Sequence, residues 1–350
     1  MEVDFLLVGQ GIAGTSLSYR LINSGKRVYV IDQAGKNTCS RVAAGLFNPV
    51  TGRKLVKTWN ADLIFPEIVP FYSRLEEELQ VKFLFSRNVY FPFASLNEQN
   101  EWMGRSVEEE YKSYIKEVKT TSSFHEVHDP YGGLFLDQSG YVDMNLMLSH
   151  YAIWLEEQGL LSNAAFEEDE LEVTAKGLQY KDIRAQSIIY ANGMGAVESR
   201  YFHWLPLKPN KGEILEVKQK FTPEDIINRG VFRITLPNNT IRVGSTYNVL
   251  DLEPNPTDEG KKEILYRLGK LVDLPVEEIL EHKWGIRPTT MDRRPILGKH
   301  PDKANVYIFN GLGAKGASLA PYFSKLMMNC LIYEKEPPKE VNLSRFFKYI

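Results

Sequence analysis

The segment Gly9-Gln10-Gly11-Ile12-Ala13-Gly14 constrains the fold more than any other in this chain. It follows the apolar run Val3-Asp4-Phe5-Leu6-Leu7-Val8, the kind that a buried parallel strand needs. An amphipathic stretch reaching Ser24 comes next, and a second apolar run, Val28 to Ile31, ends on Asp32. Each glycine has a physical reason. Gly9 makes the tight turn, Gly11 lets the backbone approach a pyrophosphate, and Gly14 lets the helix pack close to the strand. The helix N-terminus carries about half a positive charge and favours an anion there. Asp32, with Gln33 beside it, lies about 20 residues on, the spacing at which an acid meets ribose hydroxyls. Strand, turn, helix and acid together predict a dinucleotide site, with Gly9, Gly11, Ile12, Ala13 and Gly14 at the phosphates. The motif does not choose between FAD and a nicotinamide dinucleotide.

Length and composition set the outer bounds. A chain of 350 residues has room for about two domains. Its 43% hydrophobic and 25% charged residues are ordinary for a soluble globular protein. A net charge of −3 gives no pull toward nucleic acid or anionic membrane, so neither is an expected partner. No apolar run approaches the ~20 residues of a membrane span. The N-terminus has no basic leader, and its apolar run is consumed by the first strand, so a cytoplasmic protein is expected. Cys39 and Cys330 do not make a disulfide framework, and each reads as a small core or near-surface residue. Of six histidines only His125 and His128 lie close together, without partners at ligand spacing, so no metal site is expected. No GxSxG elbow supports serine hydrolysis.

Further along, Pro66 to Gln80 reads as an amphipathic helix. Val142 to Glu157 reads as another, with Leu146, Leu148, Ile153 and Leu155 on its apolar side. Lys112, Lys116 and Lys119 recur at helical spacing among acids, a solvated helix face. Ser187 to Tyr190 is a buried strand running into Ala191-Asn192-Gly193. Residues 212–218 and 230–247 alternate as antiparallel strands about Pro237-Asn238-Asn239. Thr257 to Leu271 and Pro275 to Glu281 read as helices. Val306 to Phe309 leads into a second glycine loop, Gly311-Leu312-Gly313-Ala314-Lys315-Gly316, and a helix from Ala317 to Tyr333. One nucleotide does not need two such loops at its phosphates. An isoalloxazine ring does need positive potential at its N1–C2=O edge, where negative charge gathers on reduction, and a helix N-terminus supplies it.

With both loops in place, the chain resembles the D-amino acid oxidase and glycine oxidase family of FAD-dependent oxidoreductases over nearly its whole length. Gly9 to Gly14 with Asp32 is similar to the family's ADP-binding motif. Ser40-Arg41-Val42-Ala43-Ala44-Gly45 through Pro49 resembles its small-residue flavin loop, and Gly140-Tyr141-Val142-Asp143 its lead into the middle helix. Ala191-Asn192-Gly193 resembles its strand end near the ADP moiety. Leu205 to Pro209 with Lys211-Gly212-Glu213, and then Gly244-Ser245-Thr246, are similar to its substrate-sheet segments. Gly285-Ile286-Arg287-Pro288, followed by Asp292, Pro295, Ile296 and Gly298, resembles its Gly-Leu-Arg-Pro segment, and Gly311 to Gly316 its closing flavin loop.

The resemblance implies an α/β protein, in which a Rossmann-like FAD-binding domain is interleaved with an α+β substrate domain built on an antiparallel sheet. The FAD domain would comprise residues 1–80, 141–200 and 285–350, and the substrate domain 81–140 and 201–284. It implies non-covalent FAD, since no cysteine or histidine stands where the first loop or the Arg287 segment would offer attachment. Cofactor contacts would come from the first glycine loop, Asp32 and Gln33, from Arg41, Ala43, Ala44 and Gly45, from Ala191, Asn192 and Gly193, and from Gly311, Gly313, Ala314, Lys315 and Gly316. Arg287 would hold a substrate carboxylate, which a guanidinium fits bidentately. Lys315 would add charge at the flavin edge, against the ordinary reading of an exposed loop lysine. The implied reaction removes hydride from the α-carbon of an amino acid or other amine, with oxygen, a quinone or a carrier as the acceptor. A 2-hydroxy acid dehydrogenase, an enzyme oxidising a modified tRNA side chain, and a flavin-binding interaction module are the alternatives. One departure is Ile234, where the family often has a tyrosine; Tyr247 is a nearby substitute. Arg293 and Arg294 stand where the family has small or apolar residues, as a solvated edge or a preference for more anionic substrates.

Overall fold

The unbroken apolar run at the N-terminus becomes the strand Glu2–Val8, at the centre of an eight-stranded sheet. The computed structural model describes residues 1–33, 35, 38–52, 55–174 and 177–350. Glu2–Val8 pairs in parallel with Val28–Asp32 on one side and Ile183–Tyr190 on the other. Leu161–Asn163 extends the sheet beyond Val28–Asp32. Val306–Asn310 pairs in parallel with the C-terminal half of Ile183–Tyr190, and Gly177–Tyr180 pairs antiparallel with its N-terminal half. Both faces are covered, which explains the lack of alternation in these strands. On one face Leu7, Val30, Ile189 and Phe309 pack against the helices Ile12–Asn23, Ala61–Leu79, Met144–Glu157 and Gly316–Tyr333. On the other, Leu6, Val8, Ile188 and Ile308 meet Phe202, Leu205, Leu343 and Phe346.

A second eight-stranded sheet runs in the order Glu278–Thr289, Lys208–Lys218, Ile241–Gly244, Val231–Thr235, Ile226–Arg229, Val89–Pro92, Gly133–Leu136, Ile115–Lys119. All its pairings are antiparallel except that of Ile226–Arg229 with Val89–Pro92. The helix Asp258–Leu271 covers one face, burying Ile264 and Leu268 against Leu215, Val217, Ile241 and Val243. Thr257 caps it, its hydroxyl accepting from the Gly260 amide at 3.0 Å. The other face looks toward the nucleotide domain. A three-stranded sheet of Leu46–Phe47, Gly140–Val142 and Leu84–Ser86 lies alongside.

Four local expectations are corrected. Residues 275–281 are not helical: Glu278–Thr289 is a strand laddered along the whole of Lys208–Lys218, with Lys218 and Glu278 paired across it at 2.6 Å. A long-range ladder outweighs local propensity there. Lys116 and Lys119 lie on the strand Ile115–Lys119, Lys112 lies in the preceding turn, and Lys112 and Lys119 pair with Glu109 and Glu117. Ala61–Leu79 starts before Pro66 and contains both Pro66 and Pro70. In Met144–Glu157 the buried stripe is Met144, Met147, Leu148, Tyr151 and Leu155, and Ile153 faces out.

Candidate active site

The first glycine loop is as crowded as its sequence implies. Gly9 has φ +104°, and a Cβ there would stand 2.7 Å from the Ala191 carbonyl oxygen. A Cβ on Gly14 would stand 1.8 Å from the Gly9 oxygen, so no side chain fits where helix meets strand. Ala13 is buried in the same first turn. Ser40 Oγ accepts from the Ile12 amide at 3.1 Å, at the mouth of that helix. Asp32 Oδ1 accepts from the Gln10 amide at 3.0 Å. Burial raises the Asp32 carboxyl above its ordinary value, against the pull of the Gln10 amide and the Arg41 charge. Gln33, just beyond, is exposed. Arg41 donates to Ser149 Oγ at 2.8 Å and to Gln10 Oε1 at 3.4 Å, and so stands over the same loop.

The other small-residue segments converge on this point from distant parts of the chain. Gly45, at φ +69°, packs so that a Cβ would lie 1.8 Å from the Val142 oxygen. Gly193 accepts from Asn310 Nδ2 at 2.8 Å, and Asn310 Oδ1 accepts from the Gly311 amide at 2.8 Å. Asn310 thus clamps the Ala191-Asn192-Gly193 segment to the second glycine loop, a role with no signature in the sequence. A Cβ on Gly316 would lie 3.0 Å from Ile12 Cγ2, which brings the N-termini of Gly316–Tyr333 and Ile12–Asn23 side by side. Asn192 Oδ1 is buried with no hydrogen-bond partner among the described residues.

Between these segments and the second sheet lies a cavity of about 820 Å³, in the upper part of the roughly 300–1,000 Å³ range of cofactor and ligand sites. One wall is made of Ile12, Cys39, Ser40, Ala43, Ala44 and Gly45, with Gly313, Ala314, Lys315 and Gly316. The floor is the sheet, through Gly212, Ile214, Gly244, Phe232 and Gly285. Arg287 stands at its edge. Its Nη1 donates to Asn210 Oδ1 and the Thr246 carbonyl, each at 3.2 Å, and its Nη2 to Ser245 Oγ at 2.9 Å. All three acceptors are neutral, and among the described residues no carboxylate pairs with it. Burial lowers its pKa. A Cβ on Gly212 would come within 1.8 Å of Nη2, so the glycine makes room for the guanidinium.

The remaining candidates separate. Lys315 is exposed, as a loop lysine ordinarily is, but it also lines the cavity and donates to Thr51 Oγ1 at 3.2 Å; desolvation, with Arg293 nearby, lowers its pKa. Arg294 pairs with Glu340 at 3.4 Å and lies 4.8 Å over the Trp59 ring, while Arg293 is exposed. Ile234 is wholly buried, and Tyr247 is 58% exposed and lines no part of the cavity. Cys39 is a neighbour that its sequence position did not reveal: a Cβ on Gly285 would lie 3.0 Å from Cys39 Cα, and Cys39 lines the cavity. Burial raises its thiol pKa, against the opposing Arg287 charge. Among the described residues, no group of three or more His, Cys, Asp or Glu could hold a metal ion, and no helix is long and apolar enough to cross a membrane.

These features define an α/β protein with the strand, glycine turn and helix of a dinucleotide site on one wall of a cavity and its second sheet as the floor. The chain belongs to the FAD dependent oxidoreductase family, whose DAO model matches residues 4–329. It is 26% identical over 381 aligned positions to the bifunctional protein ThiO/ThiG of Trichormus variabilis, covering 99% of this chain and 56% of that one. It is 26% identical over 322 positions to the tRNA 5-methylaminomethyl-2-thiouridine biosynthesis bifunctional protein MnmC of Legionella pneumophila, covering 86% and 46%. The chain spans about half the length of these relatives. Glycine oxidase from Geobacillus kaustophilus has the same fold, with a TM-score of 0.77 over 98% of this chain and 99% of that one at 18% identity. The residues fit the family's cofactor: the glycine cradle excludes side chains where a pyrophosphate would approach, and the unpartnered Asn192 oxygen, an acceptor, lacks a donor that a cofactor hydroxyl or N–H would supply.

Proposed function

We propose that this chain oxidises an amine or amino acid that carries a carboxylate, taking hydride from the carbon beside the amine nitrogen. The observation that carries this reading is Arg287, a half-buried guanidinium at the cavity edge whose partners in the protein are all neutral. A substrate carboxylate supplies the missing charge, and a charge-assisted hydrogen bond of this kind is worth about 1.5–3 kcal/mol. Gly9 to Gly14 would hold the pyrophosphate of FAD, Asp32 with Gln33 the adenosine ribose, and Arg41, Ala43 to Gly45 and Ala191 to Gly193 the middle of the molecule. Gly311, Gly313, Ala314, Lys315 and Gly316 would face the flavin edge, where the N-terminus of Gly316–Tyr333 and the Lys315 ammonium stabilise negative charge. When bound, the flavin supplies the hydride acceptor.

The protein's own part is orientation and exclusion of water. Arg287 fixes the carboxylate, the second sheet forms the floor under the substrate, and no acid or base is needed once the amine enters neutral. In this reading residues 1–80, 141–200 and 285–350 bind the cofactor and 81–140 with 201–284 form the substrate half, except that residues 285–289, Arg287 among them, complete the strand Glu278–Thr289 of the substrate sheet. The printed name of one relative, a tRNA 5-methylaminomethyl-2-thiouridine biosynthesis protein, supports an amine substrate. The test is anaerobic mixing of the FAD-loaded protein with a panel of amino acids, N-alkyl amino acids, simple amines and 2-hydroxy acids, read as bleaching of the oxidised flavin. Carboxylate-bearing amines are expected to bleach it; bleaching by hydroxy acids alone rejects the proposal.

A further inference from the structure

Charge around the cavity is one-sided. Arg287, Lys315, Arg229 and Arg267 line it, and among the described residues no Asp or Glu does. Arg287 and Lys315 belong to the reacting end. Arg229 and Arg267 do not, and the proposed oxidation gives them no task. Both line the cavity near the turn between Ile226–Arg229 and Val231–Thr235. Arg229 lies on one side of Gly230, and Arg267 reaches round from the helix on the sheet's far face, its Nη1 3.4 Å from the Gly230 oxygen. Their partners stand outside the cavity wall: Glu98 lies 3.0 Å from Arg229, and Glu263 lies 2.7 Å from Arg267. Arg229 Nη1 also donates to the Pro92 carbonyl at 2.6 Å. A guanidinium has five donors, and these bonds use only part of each fork.

The register gives the width of the cavity floor between the two cationic ends. Ile214, Gly244, Phe232 and Asn228 form one cross-strand row along the cavity floor. Neighbouring strands lie about 4.8 Å apart, so the Asn228 strand is about 10 Å from the strand Ile241–Gly244, which Ser245 follows. Ser245 is the residue that holds the Arg287 guanidinium. Between the two ends the floor is made by Gly244 and Phe232, and Ile214 lines the cavity one strand beyond Gly244.

We infer that the substrate is an elongated amine with two anionic groups about 10 Å apart. The carboxylate next to the amine is held by Arg287, an apolar linker crosses Phe232, and a second oxyanion is held by Arg229 and Arg267. Arg229 and Arg267 are then specificity-determining residues. This rests on the amine-oxidation reading above. A guanidinium pair accepts a carboxylate or a phosphate alike.

The test uses the FAD-loaded protein under anaerobic conditions, titrated with N-(5-carboxypentyl)glycine, its terminal carboxamide and the same chain ending in a phosphonate. Flavin absorbance registers binding as a spectral shift and turnover as bleaching. The dianions are expected to half-saturate at about 10-fold lower concentration than the carboxamide. In the Arg229→Gln/Arg267→Gln variant that ratio falls to near one. Arg267→Gln alone, at a partly exposed side chain, lowers it part of the way. Whichever dianion has the larger advantage identifies the second group. A wild-type ratio near one, or an advantage that survives the double variant, overturns the second site. A dianion preference that the double variant removes, seen as shift without bleaching, keeps the site and rejects the amine-oxidation reading. No spectral response to any of the three overturns both.

Discussion

At the scale of single residues, Arg287 concentrates the functional argument. Its side chain lies over a glycine, donates to an amide oxygen, a hydroxyl and a carbonyl, and is desolvated enough for its pKa to fall. A lysine at this position keeps the charge but not the planar fork, so it cannot bind a carboxylate bidentately and reach Ser245 at once. Arg287→Lys is therefore expected to raise the half-saturating substrate concentration by roughly 10–100-fold, the equivalent of about 1.5–3 kcal/mol, in anaerobic flavin reduction. Bound FAD should be unchanged, as Arg287 lies on the substrate sheet. A change of less than threefold refutes the carboxylate assignment. Arg287 was legible in the sequence because its Gly-Ile-Arg-Pro setting is local. Cys39, Asn310 and the Gly212 contact were not, because each depends on a neighbour far away in sequence. The same holds for the Ile234 departure, which the fold resolves as a core position.

At the scale of elements, the local signals that worked were apolar runs and glycine turns. The strands Glu2–Val8, Val28–Asp32 and Val306–Asn310 are buried on both faces and need no partner to be recognised as strands. Glu278–Thr289 was missed because its alternation of charge and apolar residues has meaning only against Lys208–Lys218, to which it pairs. That ladder carries an ionic cluster across three strands. Glu216 Oε1 lies 2.9 Å from Arg242 Nη2 and 3.2 Å from Lys283 Nζ. Burial alone would raise the Glu216 carboxyl, but Arg242 and Lys283 outweigh it and hold it below its ordinary 4.5. With the folded pKa below the unfolded one, the unfolded chain binds the proton first as pH falls. The cluster's contribution is therefore complete above about pH 4.5 and is lost as pH drops through the folded value. Glu216→Gln is expected to cost about 1–3 kcal/mol at pH 7 and to flatten the acid limb of stability against pH, measured by urea unfolding. An unchanged acid limb refutes the role.

At the scale of the whole molecule, the proposed cofactor site is assembled from the start, middle and end of the chain. Glycines 9, 45, 193 and 316 make their close approaches to partners from other segments, and Asn310 bonds the middle segment to the last loop. A molecule that touches all of these segments acts as a clamp between parts of the chain that the sequence separates widely. Such a ligand stabilises by RT ln(1 + [L]/Kd), about 2.7 kcal/mol at one hundred times Kd. For 350 residues the entropy of unfolding is roughly 0.7 kcal/mol/K, so that increment raises Tm by roughly 4 °C. ADP offers only the half that meets Gly9 to Gly14 and Asp32. It leaves Gly311 to Gly316 without a partner, however well its own site is saturated. Stripping the flavin is thus expected to lower Tm by several degrees, and FAD to restore it. ADP at the same multiple of its own Kd should match the equilibrium shift of FAD but leave the amides of residues 312–314 and 316, which the Asn310 and Leu312 oxygens do not hold, unprotected in hydrogen exchange. Equal protection of that loop by ADP and FAD would mean that the second glycine loop is closed by the fold alone and does not meet the flavin.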